Sequence, residues 1–496
     1  MDMAVTDALR RGPEPALLDG RGTLSHDDLL ASLETLGAPL AAFGRSDRLA
    51  VVAEGSDLAL SLLAVMRHAG AAPLNPSYTE SEFRFYFDDL GVRALITRAD
   101  QTRALAAAAQ SSIPVFLLQG EAAARSLEPP ANQQPLRQSQ GSPHPPEEIP
   151  ALLLHTSGTT GRPKLVGLSH NQLLASARQI GQALALTSQD RSLNIMPLFH
   201  IHGLMAGLLA PLLAGGSVFV CERFDALSFF TDLERAQPTY YSAVPTMHQL
   251  IVARAARNRE VTERAALRLV RSSSAALPPT VLSALEEVFR CPVIESYGMT
   301  EAAHQVASNP LPPQVRKPGS VGFPAGPQVR IVQEGGQDVS PEQVGEVVIS
   351  GPSVIKGYVS PPEANASSFY GSWFRTGDQG YFDGQGYLYL TGRIKELINR
   401  GGEKVAPREV EEASLAHEAV AEAVAFAMPH ERLGEEVGLA VVLNPGQQLS
   451  EAELLAFLRQ RLAPFKVPRR ILFVSELPKG PSGKVNRLTM ARSLGL

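Results

Sequence analysis

Short apolar runs alternate with a helical pattern along the first third of the chain. Residues 49–53, 115–118 and 151–154 are four or five consecutive apolar residues, and residues 57–68 show helical spacing. Continuous apolar runs of this length are typical of strands that are buried on both faces, as in a parallel sheet covered by helices. The pattern therefore predicts an α/β organisation with parallel sheets.

The pattern changes after Lys317 to short strands separated by glycine turns. Residues 345–358 read GEVVISGPSVIKGY, and residues 380–393 read GYFDGQGYLYLTGR. Such segments favour a small antiparallel sheet or β-barrel.

A third pattern begins near Pro407. Two helical stretches flank two strands there, over residues 409–415, 420–428, 437–443 and 451–462. Strands and helices in this arrangement predict a compact α+β unit of about 100 residues. The predicted fold is thus a large N-terminal part, made of two α/β subdomains and a small β-barrel, followed by a small mobile α+β domain. Its expected limits are 1–393 for the N-terminal core, 394–400 for a hinge and 401–496 for the C-terminal domain.

Residues 120–150 differ in composition from the segments around them. They are rich in Pro, Gln, Ser and Glu, and seven prolines interrupt any helix. This composition predicts an exposed connector ahead of residue 151.

Charge and cysteine content exclude several classes of protein. The 496 residues carry a formal net charge of -5 and include only two cysteines, Cys221 and Cys291. Nucleic-acid binding, a disulfide framework and a zinc site are therefore not indicated. No apolar run is long enough for a membrane span, and no targeting segment is evident, so a cytoplasmic location is expected.

A segment rich in glycine and hydroxyls connects one short apolar strand to a lysine. Residues 152–164 read LLLHTSGTTGRPK, and the apolar residues 165–168 indicate a second strand. Backbone N–H groups and hydroxyls can surround phosphate oxygens here, while Lys164 adds a positive charge. The segment lacks the Gly-Lys-[Ser/Thr] ending and the helix of a P-loop. It predicts a different phosphate-binding hairpin, with an ordinary polar turn as the alternative.

Six further motifs follow in order, at residues 197–203, 271–277, 295–301, 373–378, 392–396 and 481–484. They include PLFHIHG, RSSSAAL, ESYGMTE, WFRTGD, GRIKE and PSGK. Together with the hairpin they resemble the adenylate-forming superfamily of acyl-CoA synthetases, luciferases and peptide-synthetase adenylation domains, over essentially the whole chain. The resemblance implies an AMP-forming acid–thiol ligase, which converts a carboxylate and ATP to an acyl-AMP and pyrophosphate and then passes the acyl group to CoA.

The resemblance assigns most polar motif residues to the nucleotide. Thr300 would reach the α-phosphate, and Glu301 would help to bind Mg²⁺, a hard cation that prefers oxygen ligands. Tyr297 would stack on adenine, while Asp378 and Arg393 would contact the ribose. The expected ATP contacts are Thr156, Ser157, Gly158, Thr159, Thr160, Lys164, Ser274, Ala275, Ala276, Glu295, Ser296, Tyr297, Gly298, Thr300, Asp378 and Arg393.

Attack of a carboxylate on the α-phosphate accumulates negative charge, so cations must surround the phosphates. The resemblance implies that Lys484 swings in during adenylation and then leaves. The expected catalytic residues are Lys484, Thr300, Glu301, His200 and Lys164.

The same resemblance implies a rotation of the small domain about Lys395. The rotation would bring the loop at residues 399–404 to the core to form the CoA tunnel. Gly401, Gly402 and Lys404 are its expected lining, because glycine leaves room for a thin chain such as pantetheine.

Three polar residues stand out in the segments expected to form the acid pocket. They are His200, Ser274 and His304. A fatty acid or a cinnamate needs an apolar pocket, whereas the second carboxylate of a small diacid needs hydrogen-bond donors when it leaves water. The three residues therefore favour a small dicarboxylic acid.

Five segments are similar to the oxalate:CoA ligase branch of the superfamily nearly word for word, at residues 196–215, 240–251, 271–279, 299–313 and 317–326. By that resemblance, His200, Ser274 and His304 would contact oxalate. Two positions depart from the branch, since Gly298 replaces a common alanine and Ser273 a usual cysteine. Gly298 is expected to widen the pocket slightly, which leaves a related small acid open.

Other functions remain open on the sequence. A malonate ligase would need an arginine-lined pocket, and residues 244–250 contain no arginine. A medium-chain or aromatic acid, or an amine or carrier protein as acceptor, are further alternatives. An inactive nucleotide-binding regulator is opposed by the intact Lys164, Glu301, Asp378, Arg393 and Lys484. The expected partner is a small carboxylic acid, without nucleic acid or membrane, and the expected state is a monomer or homodimer.

Overall fold

The computed structural model describes residues 4–130, 149–156, 163–478 and 487–496. The chain forms two compact units. The core unit runs to Val329 and includes Ile349–Phe374, and the C-terminal unit consists of Arg330–Val348 and Arg375–Leu496. The domain limits and the hinge proposed from the sequence stay predictions.

Thirteen α-helices lie in the described ranges. They are α1 (His26–Gly37), α2 (Gly55–Met66), α3 (Glu80–Leu90), α4 (Thr102–Gln110), α5 (His170–Ala183), α6 (Ala210–Leu213), α7 (Phe229–Ala236), α8 (Pro245–Ala255), α9 (Arg259–Arg264), α10 (Pro279–Phe289), α11 (Pro407–Leu415), α12 (Glu451–Arg459) and α13 (Arg487–Ser493). Four of them begin with a reciprocal capping box, at Ser25, Thr79, Ser169 and Ser450. The cap hydroxyl accepts a backbone N–H that the helix leaves without a partner, which fixes where each helix begins.

The described strands are β1 (Pro15–Leu18), β2 (Thr23–Ser25), β3 (Arg48–Val52), β4 (Gly70–Pro73), β5 (Ala94–Thr97), β6 (Val115–Gln119), β7 (Ser126–Glu128), β8 (Leu152–Thr156), β9 (Lys164–Leu168), β10 (Arg191–Asn194), β11 (Ser217–Val220), β12 (Tyr240–Ala243), β13 (Leu269–Ser272), β14 (Val293–Met299), β15 (His304–Ser308), β16 (Phe323–Pro324), β17 (Gln328–Val332), β18 (Gly345–Ser350), β19 (Phe369–Tyr370), β20 (Trp373–Phe382), β21 (Leu388–Arg393), β22 (Ile398–Arg400), β23 (Glu403–Val405), β24 (Val420–His430), β25 (Gly434–Leu443) and β26 (Arg470–Phe473).

Two large sheets with parallel centres form the core unit. One has the order β7-β6-β5-β3-β4-β8-β9, and the other β16-β15-β14-β13-β12-β10-β11-β1-β2. The apolar runs predicted as strands are β3, β6 and β8, and the predicted helix is α2, all twelve residues of which are buried. The prediction of two α/β subdomains is confirmed.

The smaller sheets also match the predicted fold. Strands β17, β18, β20 and β19, with β21 against β20, form the small half-barrel sheet that the glycine turns indicate. In the C-terminal unit, β24 and β25 pair antiparallel over their whole length, and β26 joins β25 in parallel. Helix α12 ends at Arg459, three residues before the predicted end at 462.

The connector predicted for residues 120–150 is exposed at most of its first ten residues, but it also contains a strand that the composition did not indicate. Strand β7 pairs antiparallel with β6, and Arg125 is buried just before it. The Arg125 Nε donates to Asp57 Oδ1 at 2.6 Å, and its Nη2 donates to Ser56 Oγ at 2.7 Å. This buried polar anchor attaches the segment to the sheet, which composition alone did not indicate. Residues 131–148 lie outside the described residues.

Two general features complete the fold. Both cysteines are free thiols. Within the described ranges, no helix combines the length and the apolar character needed to cross a bilayer.

Candidate active site

The predicted phosphate-binding hairpin begins and ends where the sequence indicates. Strands β8 and β9 pair antiparallel, with Thr156 opposite Lys164 beside the loop. The Lys164 ammonium lies 4.2 Å from the centroid of the Tyr358 ring, a cation–π contact. The loop itself lies outside the described residues, which leaves as predictions the phosphate contacts of Ser157, Gly158, Thr159 and Thr160.

Tyr358 also contacts the carboxylate expected to bind magnesium. Its hydroxyl donates to Glu301 Oε1 at 2.8 Å, and the Glu301 backbone carbonyl accepts from Ile355 N at 2.9 Å. Glu301 lies in a 3₁₀ turn, Thr300–Ala302, between β14 and β15. One aromatic ring thus contacts both the hairpin lysine and the buried carboxylate. Tyr358 could not be identified from the sequence, because Glu301 lies 57 residues away along the chain.

Two of the predicted pocket residues have a left-handed backbone. The φ angle is 72° at Ser274 and 92° at His304, and Ala303 between β14 and β15 has a φ of 49°. Such angles cost of order 1–3 kcal/mol for residues with a side chain, and they concentrate at functional sites. Ser274 lies two residues after the end of β13, and His304 is the first residue of β15. The backbone strain at these two positions marks them as candidates for the functional site.

Gly298 is required by the close approach of β15. A Cβ atom at this position would lie 1.9 Å from the carbonyl oxygen of His304 and 2.9 Å from its Nδ1. The pairing of β14 with β15 shifts register between Tyr297 and Gly298, which brings the two backbones together. The space beside Gly298 is therefore filled by His304, instead of widening the pocket as expected from the sequence.

Ser274 and His304 both contact His202, a histidine that was not predicted as a site residue. His202 Nδ1 lies 3.1 Å from Ser274 Oγ, and the rings of His202 and His304 stack with centroids 4.8 Å apart at 18°. His202 precedes a π-helical turn, Gly203–Leu209, a form that is frequent at functional sites. His200 lies two residues earlier, and its ring contacts Phe199 at 4.8 Å.

A fully buried arginine lies behind these histidines. Arg271 on β13 is in register with Ser242 on β12, and its Nη1 donates to Ser242 Oγ at 3.2 Å. The same Nη1 is 3.0 Å from His304 Nε2 and 3.4 Å from His202 Nε2. Its Nη2 donates to Gln305 Oε1 at 2.9 Å. Every hydrogen-bond partner of this guanidinium in the described ranges is thus a neutral side chain.

The electrostatics of Arg271 are unusual for a buried residue. Burial lowers the pKa of Arg271 to about 10, which still leaves it cationic at neutral pH. No aspartate or glutamate of the described residues pairs with it, and its Nε has no hydrogen-bond partner there. Buried arginines are normally paired with an anion. The signal in the sequence was an arginine directly after the apolar pair Leu269 and Val270, within the predicted strand before Ser274.

The remaining residues of the core unit that are predicted to contact the nucleotide lie on β14 or follow β13 and β14. Glu295 Oε2 accepts from Gly319 N at 3.1 Å, and Ser296 Oγ donates to the Ser272 carbonyl at 3.2 Å. Tyr297 is buried at the end of β14, with its hydroxyl 3.9 Å from a methionine sulfur. The loop after Ser274 exposes the side chains of Ala275 and Ala276, and Thr300 is half-buried. Their nucleotide contacts stay predictions.

The two predicted ribose residues are adjacent in the C-terminal unit. Asp378 on β20 is in register with Arg393 at the end of β21, and Arg393 Nε lies 3.1 Å from Asp378 Oδ1. Asp378 is buried, while the Arg393 side chain is half exposed. Gly377 before Asp378 has a φ of 71°, which glycine adopts without strain.

The predicted hinge and tunnel residues also lie in the C-terminal unit. Lys395 is exposed in the turn Ile394–Glu396. Gly401 and Gly402, with φ of 60° and 99°, form the turn between β22 and β23, and Lys404 is exposed on β23. Their roles stay predictions.

Lys484 lies outside the described residues, which resume at Arg487. Arg487 begins α13, and its Nη1 donates to Glu396 Oε2 at 2.7 Å. Its Nε and Nη2 both donate to the Glu411 carboxylate at 3.0 Å. These two carboxylates outweigh the effect of burial and raise the pKa of Arg487. The last helix is therefore tied to the residue next to Lys395.

Taken together, two large α/β sheets, a glycine-rich hairpin with a lysine and a small α+β unit define the class of adenylate-forming enzymes. The chain belongs to the family described as "AMP-binding enzyme", whose sequence model matches residues 5–359. The model of the "AMP-binding enzyme C-terminal domain" matches residues 409–484.

Several characterised relatives are similar over most of their length. An oxalate–CoA ligase from Arabidopsis thaliana is 45% identical over 446 residues, which cover 88% of this chain and 86% of the relative. An oxalate–CoA ligase from Saccharomyces cerevisiae is 40% identical over 447 residues, covering 85% and 82%. A sulfoacetate–CoA ligase from Cupriavidus necator is 38% identical over 489 residues, covering 96% and 94%.

The fold is likewise similar to that of solved structures. The crystal structure of ATP-bound MatB from Rhodopseudomonas palustris has a TM-score of 0.86 and 29% sequence identity. It covers 99% of this chain, and this chain covers 98% of it.

Proposed function

We propose that this chain is an ATP-dependent oxalate–CoA ligase that works in two steps. A carboxylate oxygen of oxalate attacks the α-phosphorus of ATP, and the bond to the β-phosphate breaks to release pyrophosphate. The sulfur of CoA then attacks the acyl carbon of the mixed anhydride, AMP leaves, and the thiol proton is released to solvent. Membership of the AMP-binding family and the names of the two oxalate–CoA ligases support this reaction.

The observation that carries the choice of acid is the buried Arg271 with its neutral partners. In an acid with one carboxylate, that group reacts with the α-phosphate, so no anionic group remains to offset the charge of Arg271. A diacid can present its second carboxylate to the Ser274 and His304 side chains, next to the cation. The sulfoacetate ligase is consistent with this reasoning, because sulfoacetate also has two anionic groups.

The polar residues of the core unit fit ATP and Mg²⁺. Glu301 is the carboxylate that would hold the ion, and Mg²⁺ typically takes one or two carboxylates together with substrate phosphates. In the part of the chain that the structure describes, no cluster of three His, Cys, Asp or Glu residues could hold a metal by itself. When bound, the ion would offset charge on the phosphate oxygens. Lys164 would do the same from the hairpin, with its ammonium positioned on the Tyr358 ring.

Residues of the C-terminal unit complete the proposal. Asp378 would accept hydrogen bonds from the ribose hydroxyls, and Arg393 would hold the Asp378 carboxylate in place. Lys484 would serve the adenylation step, and Gly401 and Gly402 would leave room for pantetheine. A cytoplasmic location and a monomeric or homodimeric state are proposed from the sequence alone.

Malonate is the informative comparison, because it also has a second carboxylate. Residues 244–250 contain no arginine, but Arg271 on β13 brings an arginine to His304. The two acids differ by one methylene. In a pocket that fits one of them, this difference changes the transition-state binding free energy by about 1–3 kcal/mol.

A panel of acids tests the proposal. Pyrophosphate release is measured with ATP, Mg²⁺ and CoA on oxalate, malonate, acetate, octanoate and a cinnamate. We expect kcat/KM to be highest for oxalate, with malonate about 10-fold or more lower. A higher kcat/KM for a monocarboxylic acid would contradict the proposal.

A further inference from the structure

We propose that Arg271 is the positioning residue of the acid pocket: it fixes which ring nitrogens of His202 and His304 carry a proton, so that the pocket presents donors to the acid. This inference rests on the proposed function for the identity of the acid. The arrangement of protons itself follows from the contacts of Arg271 and is testable without substrate.

The first hydrogen-bond chain runs from Arg271 to His304. A guanidinium can only donate, and its Nη1 lies 3.0 Å from His304 Nε2. That ring nitrogen must therefore accept, which places the proton of the neutral imidazole on Nδ1. His304 then offers an Nδ1–H donor on the side of its ring away from Arg271.

The second chain runs from Arg271 through Ser242 and His202 to Ser274. Arg271 Nη1 donates to Ser242 Oγ, which leaves the Ser242 proton for His202 Nε2 at 2.6 Å. Nη1 has only two hydrogens, which His304 Nε2 and Ser242 Oγ accept, so the Ser242 hydroxyl is the donor to His202 Nε2. His202 Nδ1 therefore carries the proton and donates to Ser274 Oγ at 3.1 Å. The Ser274 hydroxyl proton must then point elsewhere.

Both chains consequently place a donor on the far side of a histidine ring. These donors are the Nδ1–H of His304 and, beyond His202, the O–H of Ser274, and an ionised carboxylate can only accept. If the chains had the opposite polarity, Ser274 would donate to His202 and present lone pairs to the acid. A single buried cation thus sets the polarity of both chains and adds a positive potential for a dianion.

A purely structural role accounts poorly for this residue. The guanidinium lies in the core without an anionic partner among the described residues, and its Nε makes no hydrogen bond there. A buried cation in this state lowers stability, and an apolar residue of similar size usually replaces it at little or no cost. The left-handed backbone at Ser274 and His304 lowers the stability of the fold further in the same region.

The first test measures the proton positions directly in the full-length enzyme without substrate. Histidine is labelled with ¹⁵N, and two-bond ¹H–¹⁵N correlation spectra distinguish the Nδ1–H from the Nε2–H form. His202→Gln and His304→Gln variants assign the two signals. We expect both residues as Nδ1–H forms in the unaltered enzyme. An Nε2–H form at His304 would overturn the proposal, whatever acid the enzyme uses.

The second test is kinetic and uses Arg271→Met, with Arg271→Lys as the conservative variant. Loss of a buried hydrogen-bonded charge is expected to raise the KM for oxalate about 30-fold or more, with the KM for ATP within about twofold. Lysine keeps a cation and donors, so it should recover part of the loss. Arg268→Met is the matched control, since Arg268 precedes the same strand and pairs with Asp190. It should leave both KM values unchanged.

The outcomes separate this inference from the proposed function. Equal changes in both KM values, together with a lower melting temperature, would indicate a structural role and overturn the inference. Unchanged oxalate kinetics in Arg271→Met would overturn it as well. If the unaltered enzyme does not use oxalate at all, the proposed function fails, while the spectra still test Arg271. If Arg271→Met does not fold, the lysine variant and the spectra of the unaltered enzyme decide.

Discussion

Replacement of Gly298 by alanine tests how closely the pocket is built around His304. The added Cβ would lie 1.9 Å from the His304 carbonyl oxygen, 2.8 Å from its carbonyl carbon and 2.9 Å from its Nδ1. An ordinary contact needs 3.4 Å or more, so β14 and β15 must separate by about 1.5 Å at this point. The neighbours are backbone atoms of a paired strand, which cannot turn away as a flexible side chain would.

The expected cost has two parts. Overpacking of this kind destabilises a protein by about 1–3 kcal/mol, and each kcal/mol lowers the melting temperature of a large domain by about 2–4 °C. A displacement of a positioned group by about 1 Å costs about 100-fold in rate. We therefore expect kcat/KM for the acid to fall about 100-fold, while the melting temperature falls by only a few degrees.

The assay is acid-dependent pyrophosphate release, paired with a thermal unfolding scan. Gly181→Ala in helix α5 is the matched control, because a Cβ there would contact nothing within 4 Å. Alanine in a helix is favoured over glycine by about 1 kcal/mol, so the control should be slightly more stable and fully active. Kinetics in Gly298→Ala equal to those of the unaltered enzyme would refute the reasoning.

Three other substitutions make separate predictions. Lys484→Ala should lower pyrophosphate release about 100-fold or more with an unchanged melting temperature, and normal release would exclude its role in adenylation. Tyr358→Phe removes the hydroxyl that donates to Glu301, so a magnesium titration should require about 10-fold more Mg²⁺, and an unchanged titration would contradict this. Burial lowers the pKa of His248 to about 3 from its ordinary 6.5, so the unfolded chain binds one more proton between these values. Its contribution to stability is complete above pH 6.5 and is lost at about 1.4 kcal/mol per pH unit as pH falls. Urea unfolding of His248→Phe should therefore show a weaker dependence on pH in this range, and equal slopes would contradict the assignment.

Local patterns were enough to predict most of the fold. The apolar runs of β3, β6 and β8 are short and continuous, so they specify buried strands without knowledge of their neighbours. The hairpin of β8 and β9 was predictable for the same reason. Strand β7 was not, because its docking depends on Arg125 and on Asp57, 68 residues earlier.

Contacts between residues far apart in the sequence also limited how much of the candidate site could be predicted. Ser274 and His304 could be selected because they lie in motifs whose residue types suit a carboxylate. Arg271 and His202 lie in the same motifs, but their contacts with Ser242 and His304 form only when β12, β13 and β15 are assembled into one sheet. The left-handed backbone at Ser274 and His304 is likewise a product of tertiary packing, since neither residue type requires it.

The central claim is that oxalate is activated as an acyl adenylate, and isotope transfer tests it most directly. The enzyme is supplied with ATP, Mg²⁺, CoA and oxalate labelled with ¹⁸O in both carboxylates, and the products are analysed by mass spectrometry. The account predicts that AMP carries one ¹⁸O atom and that an oxalyl thioester of CoA forms in equal amount. Unlabelled AMP, or ¹⁸O found in inorganic phosphate with ADP as the nucleotide product, would contradict it.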